Sequence, residues 1–202
     1  MEREKTIINS LEWGKEISNR EEKEKVAEKI ASMVTDNDII GVGSGSTAYL
    51  ALLKIAERIR NEQLHIRAIP TSQEIKMACA KLGIPQTSLL EHKPNWTFDG
   101  ADEIDFSHNM IKGRGGAMFK EKLLISSSPR TFIIADSSKM VSKLGSRFPV
   151  PVEIFPDALV HVDQALRSLS PVEIKLRMAQ GKDGPVITEN GNLILDVRFN
   201  NI

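Results

Sequence analysis

Two neighbouring stretches concentrate the residues best suited to chemistry. DGADEID, Asp99–Asp105, sets four carboxylates within seven residues, and KGRGGAMFKEK, Lys112–Lys122, follows as a glycine-rich loop flanked by lysines. Carboxylates and lysines are the side chains of proton transfer and anion stabilisation. A charge run alone reads as a solvated face. This one is entered from the aromatic, β-prone NWTF of residues 95–98 and carries the small residues Gly100 and Ala101, which let backbone or ligand come close. Ile111 leads into Lys112 in the same way, with Gly113, Gly115 and Gly116 behind it. An acidic and a basic loop, each leaving a short apolar run, make the pattern of a polar active site on an α/β sheet.

A third stretch, GVGSGSTA at residues 41–48, joins a strand pattern to a helix pattern. Glycines let backbone N–H groups face a ligand, the helix N-terminus favours an anion, and Ser44, Ser46 and Thr47 add hydroxyls, so a phosphate is the natural guest. A P-loop needs a lysine before the Ser or Thr, and none is present. A dinucleotide fingerprint read from Gly41 fails at Ser46, although a looser form read from Gly43 and ending in Ala48 fits, and a methyltransferase-like GxGxG matches Gly41, Gly43 and Gly45. Both want an acid after the next strand to hold a ribose, where LHIRAI runs instead into Pro70 and Thr71. The phosphate reading fits best. Lys139, just past the apolar TFIIA, leaves the same end of a parallel sheet and is the candidate counter-charge. His65, His92, His108 and His161 share no motif and are assigned no chemistry.

The elements that position these stretches follow from periodicity. Residues 20–34 place Ala27, Ile30, Ala31 and Val34 at helical spacing, with Asn19 and Glu22 as a capping box. DIIGV reads as a strand and residues 47–60 as a helix through Tyr49, Leu52, Leu53 and Ala56. LHIRAI reads as strand, SQEIKMACAKLG as helix closed by Gly83, TSLL and NWTF as strands, 117–126 as helix and TFIIAD as strand. Alternating strand and helix predicts a parallel sheet covered on both faces. The rhythm then changes to PVPVEIFP, a helix in DALVHVDQALRSL, and strands PVEIKLRM, GPVIT and NLILDVRF joined by GKDG and ENGN. The change of rhythm predicts a small α+β lobe inserted or appended near residue 148.

Composition narrows the function classes. Lys plus Arg and Asp plus Glu each number 27 in 202 residues, so no bulk positive field draws the chain to nucleic acid or acidic membranes. The single Cys79 has no partner within the chain, no Cys/His cluster has zinc-ligand spacing, and no apolar run has transmembrane length. A cytoplasmic protein is expected, with no structural metal.

The ordered series GVGSGSTA, PTSQE, FDGADEID, IKGRGGAMFKEK, IIADSSK, PVEIFP and GPVITENGNLILDVRF resembles the type A family of ribose-5-phosphate isomerases over about residues 20–199. The resemblance implies a Rossmann-like α/β fold, a parallel sheet flanked by helices, with a small α+β lobe; the division it implies is an extension over 1–18, a Rossmann-like catalytic domain over 19–147, the lobe over 148–190 and a return strand over 191–202. It implies interconversion of D-ribose 5-phosphate and D-ribulose 5-phosphate with neither metal nor cofactor, by a homo-oligomer, dimer or tetramer. By motif it puts the catalytic set on Asp99, Asp102, Lys112 and Glu121: Glu121 as base, Lys112 as oxyanion partner, the aspartates for ring opening and proton handling. Its substrate and phosphate contacts fall on Ser44, Gly45, Ser46, Thr47 and Lys139, and on Lys23 by counting back from the glycine loop. Gly100, Ala101, Gly113, Gly115 and Gly116 belong to the same loops, and Thr71 and Ser72 match a block that lines the site. Glu103 and Asp105 are read as structural or solvated. Ser44 stands where the family commonly has threonine, Arg114 where glycine is frequent, and MFKE replaces the commoner pattern before Glu121. Family chains continue beyond ILDVRF into a closing helix and strand, so a chain lacking that segment is expected. The competing class is a sugar-phosphate sensor of the same fold that binds without turnover.

Overall fold

The computed structural model describes residues 6–14 and 16–202. Part of the expected 1–18 extension, residues 1–5 and 15, lies outside the described residues. The chain forms two compact units, one running to Gly100 and including Glu121–Asp136, the other Ala101–Lys120 with Ser137–Ile202.

The first unit is built on four strands, β1 (Ile39–Val42), β2 (Arg67–Pro70), β3 (Trp96–Gly100) and β6 (Thr131–Ile134), in the order β2-β1-β3-β6. Every pairing is parallel, with Ile40 beside both Ala68 and Trp96, and Phe98 beside Phe132. β1 and β3 are buried almost throughout; IIGV accordingly reads as an unbroken apolar run, whereas WTFDG also buries the polar Thr97 and Asp99. Helices α1 (Ile7–Ser10), α2 (Arg20–Ser32), α3 (Ser46–Glu62), α4 (Gln73–Leu82) and α5 (Met118–Ser127) accompany them.

Ala27, Ile30 and Ala31 of α2 meet Ala51, Leu52, Ile55 and Ala56 of α3 in one core. The buried stripe of α3 is displaced from the expected one: Tyr49 and Leu53 are only half-buried, because small alanines on the adjoining face allow closer packing. Tyr49 instead stacks on Trp13, centroids 4.6 Å apart. Asn19 occupies the N-cap of α2, but its backbone is left-handed (φ 49°) and it makes no capping bond. Gly83 ends α4 with φ 76°, as expected. TSLL is no strand: a single bridge joins Gln86 to Ala68, and a turn begins at Ser88. Pro85 and the hydroxyl pairing of Thr87 with Glu91 turn the chain before a strand can run.

The second unit opens with a short antiparallel hairpin, β4 (Glu103–Ile104) and β5 (Met110–Ile111), where the sequence suggested only loop. Its main sheet is antiparallel, β7 (Val150–Ile154), β9 (Leu193–Arg198) and β8 (Glu173–Leu176) in that order, with β9 central. Leu193, Leu195 and Val197 of β9, at period two, face Leu159, Val162 and Leu166 of α6 (Leu159–Arg167). GPVIT contributes one bridge, Pro185 to Met178, and no strand. Its backbone is drawn off by Thr188, which closes a turn to Asn192.

Candidate active site

In the first unit all four strands run the same way, so their C-terminal ends share one edge. β1 lies between β2 and β3, and the chain reverses its direction of travel across the sheet there. Ligands of open α/β sheets bind in the crevice beyond such a switch point. Immediately past β1 come Gly43, Ser44 and Gly45, and α3 starts at Ser46. Gly45 holds φ 98°, a conformation that excludes ordinary side chains, and as N-cap it offers no side chain to the first helical N–H groups.

Gly43 has a different reason for being glycine. A Cβ there would fall 2.1 Å from Asp99 Oδ1, so the Asp99 carboxylate fills the notch that Gly43 leaves. Asp99 is 1% exposed, and its Oδ1 accepts the Gly100 N–H at 2.7 Å. The switch point therefore joins a buried carboxylate to a helix N-terminus. Thr71 Oγ1 donates to the Val42 carbonyl at 3.1 Å, which leaves Ser44 as donor in the 2.8 Å Ser44–Thr71 pair. Ser46 and Thr47 stand on the first turn of α3, and Ser72 spends its oxygen capping α4 through the Ile75 N–H. Glu121 lies in the first turn of α5 and is buried. A Cβ on Gly41 would come 2.9 Å from Leu124, so α5 packs against β1 on the face that also carries Glu121 one turn earlier.

Lys23 is buried, and its Nζ lies 3.3 Å from Ser18 Oγ and 3.6 Å from Asp136 Oδ2. Asn19 donates its side-chain N–H to Asp136 Oδ1 at 2.9 Å, its left-handed backbone leaving α2 without a side-chain cap. Asp136, just past β6, was not singled out in the sequence, although it stands within IIADSSK.

In the second unit Asp102 and the glycine-rich loop come together. The Asp102 N–H donates to the Ile111 carbonyl at 2.9 Å, and Asp102 Oδ2 accepts the Arg114 N–H at 2.9 Å. Gly113 and Gly116 hold φ 98° and 86°, Gly115 is exposed, Ala101 is buried and Lys112 is half-buried. Lys139 ends a single 3-10 turn, Ser137–Lys139, and the chain then bridges from Met140 to Ile104. Glu103, fully buried, accepts the N–H groups of Gly145, Arg147 and Phe148 at 2.7 Å each. Asp105 accepts from Ser107 and Asn109, and the Asn109 side-chain bond leads the causes that hold its carboxyl below the ordinary value. Both acids are thus taken up by hydrogen bonds, Glu103 in the interior and Asp105 in an exposed turn, in line with the structural or solvated reading. Burial pushes the Cys79 thiol up to about 12, which removes it as a nucleophile. Among the described residues no cluster of three His, Cys, Asp or Glu side chains has the arrangement of a metal site.

The family model of ribose 5-phosphate isomerase A (phosphoriboisomerase A) matches residues 67–202. The chain belongs to the ribose 5-phosphate isomerase A family. It is 40% identical to the ribose-5-phosphate isomerase A of Methanothermobacter thermautotrophicus over 177 residues, 88% of this chain and 77% of that protein. The solved isomerase of Methanocaldococcus jannaschii superposes with a TM-score of 0.87 at 42% identity, covering 91% of this chain and 81% of that one. A second isomerase structure, in complex with phospho-erythronic acid, gives 0.87 at 34% identity over 92% and 82% of the two chains. The α/β architecture with its parallel sheet is thus that of the isomerase family. Arg177 and Asp196, which hold the glycine-rich loop in the second unit, are additions from the structure. Neither stands in a motif that marked it as part of a site.

Proposed function

We propose that this chain interconverts D-ribose 5-phosphate and D-ribulose 5-phosphate through an enediolate. The isomerisation moves one proton between C2 and C1 and another between their oxygens, so substrate and product are isomers and no oxidant is consumed. Such chemistry needs a base at carbon, a cation for the oxyanion and a relay for hydroxyl protons. Glu121 takes the first role, Lys112 the second, and Asp99 with Asp102 the third. The phosphate is held by Ser44, Gly45, Ser46 and Thr47 at the start of α3, with Lys139 and Lys23 as counter-charges. Gly100, Ala101, Gly113, Gly115 and Gly116 let backbone approach the sugar.

The observation that carries this reading is the switch point of the first unit. There a buried Asp99 carboxylate, seated against Gly43, adjoins a helix N-terminus that no side chain caps, on a chain of the isomerase family. A relative held with phospho-erythronic acid supports a phosphorylated polyhydroxy ligand. No helix of the described residues is long and apolar enough to cross a membrane, and we place the activity in the cytoplasm. Homo-oligomeric assembly is proposed on the exposed apolar side chains of the second unit, among them Phe155 at 65% and Val160 at 67%. The test of the phosphate assignment is substrate comparison. Ribose 5-phosphate should exceed unphosphorylated ribose in kcat/KM by orders of magnitude, since remote binding energy is used at the reacting carbons; comparable values would end it.

A further inference from the structure

The glycine-rich loop of the second unit carries three glycines and would be free to move, yet its backbone is held on both sides at Arg114. The Arg114 N–H donates to Asp102 Oδ2 at 2.9 Å, and the Arg114 carbonyl accepts Arg177 Nη1 at 2.8 Å. Arg177 is itself held. Its Nε and Nη2 fork onto the two oxygens of Asp196 at 2.8 and 2.5 Å, and its backbone N–H donates to the Ile194 carbonyl of the central strand β9 at 2.9 Å. Only a guanidinium can serve a carboxylate at two oxygens and a third acceptor at once in fixed geometry. Arg177 and Asp196 are also largely sheltered, with side chains 19% and 20% exposed, so the pair is not a loose surface contact. Both line a cavity of about 310 Å³ with Ile111, Arg114, Phe148 and Pro149, and the Arg114 guanidinium is turned aside over Phe148 at 4.3 Å.

We propose that Arg177, fixed by Asp196, is a positioning residue for Asp102. It pins the loop backbone at Arg114, and that backbone in turn fixes one oxygen of Asp102. The order of transmission is β9, Asp196, Arg177, the Arg114 peptide, Asp102. The rigid sheet of the second unit thereby sets the orientation of an acid that stands on a short hairpin. The proposal rests on reading Asp102 as a proton-handling acid of the isomerisation.

The test is a double-mutant cycle in kcat for ribose 5-phosphate with Arg177→Gln and Asp102→Asn. Arg177→Gln alone should lower kcat by up to about 10²-fold, the scale of a small misplacement of a reacting group, with KM nearly unchanged. In the Asp102→Asn background it should cost nothing further, because the group it positions is gone. Arg177→Lys should fail to rescue kcat. Should Arg177→Gln not fold, Asp196→Asn, which keeps the arginine and loosens its fork, reads the same coupling. Multiplying losses in the double variant, an effect confined to KM, or parental kcat in Arg177→Lys would overturn the positioning role. Parental kcat in Asp102→Asn alone would remove the underlying reading, and that single variant distinguishes this failure from the others.

Discussion

Asp99 and Glu103 are four residues apart in one acidic run, yet they do opposite things. Glu103 spends both oxygens on three backbone N–H groups, whereas Asp99 sits at the sheet's switch point against Gly43. Glu103→Ala should therefore destabilise the protein by about 3 kcal/mol or more, since it strands buried donors that bond a charged acceptor; a thermal or urea titration measures it. Gly43→Ala must displace the Asp99 carboxylate, so it should depress kcat as well as stability. Parental kinetics in Gly43→Ala would show that the notch is unrelated to turnover. Glu121→Gln keeps size and removes basicity, so kcat should fall by about 10² to 10⁴ while KM changes little. Lys112→Ala should change both, because a positive charge beside an anionic ligand is lost. Glu103 and Asp105 were legible as acids occupied with hydrogen bonds, because a loop this polar has its own backbone to satisfy. Asp136 and Arg177 were not legible, since their partners Lys23 and Asp196 are distant in sequence.

The elements were legible where burial is one-sided and long. The helices of the first unit follow from periodicity and β1 and β3 from short β-prone runs, whereas TSLL and GPVIT, equally β-prone, form no strands. Pro85 and Pro185 each leave a single bridge, and a turn follows Ser88 and Thr188. Asn19 makes no capping bond: its backbone is left-handed, and its side-chain N–H donates to the buried Asp136. Burial alone would raise the Glu153 carboxyl, but bonds from Thr188, Asn190, Asn192 and the Phe119 N–H together outweigh it and hold the group below its ordinary value. A depressed folded-state value means that its stabilisation is complete above the ordinary glutamate pKa and is lost as pH falls through the folded one. Urea midpoints should thus fall on acidification below about pH 4.5, and less steeply in Glu153→Gln. Identical acid limbs would contradict the assignment.

Taken whole, the chain passes between its two units at Gly100–Ala101, Lys120–Glu121 and Asp136–Ser137, each time within or beside a motif. Nothing in composition marks such passages, because the residues on either side are equally polar and no linker intervenes. The order of motifs nevertheless carried the family, and with it the chemistry. With Lys112 as the cation of the reaction, turnover should persist in excess chelator; full and reversible loss would mean that a metal does Lys112's work. Catalysis of an isomerisation, rather than binding alone, is checked by adding the protein to ribose 5-phosphate in one vessel and ribulose 5-phosphate in another and following the aldose-to-ketose ratio in both. The predicted result is rapid convergence on one common ratio from either side. A protein whose melting temperature rises with either sugar phosphate while both ratios stay where they began would contradict it.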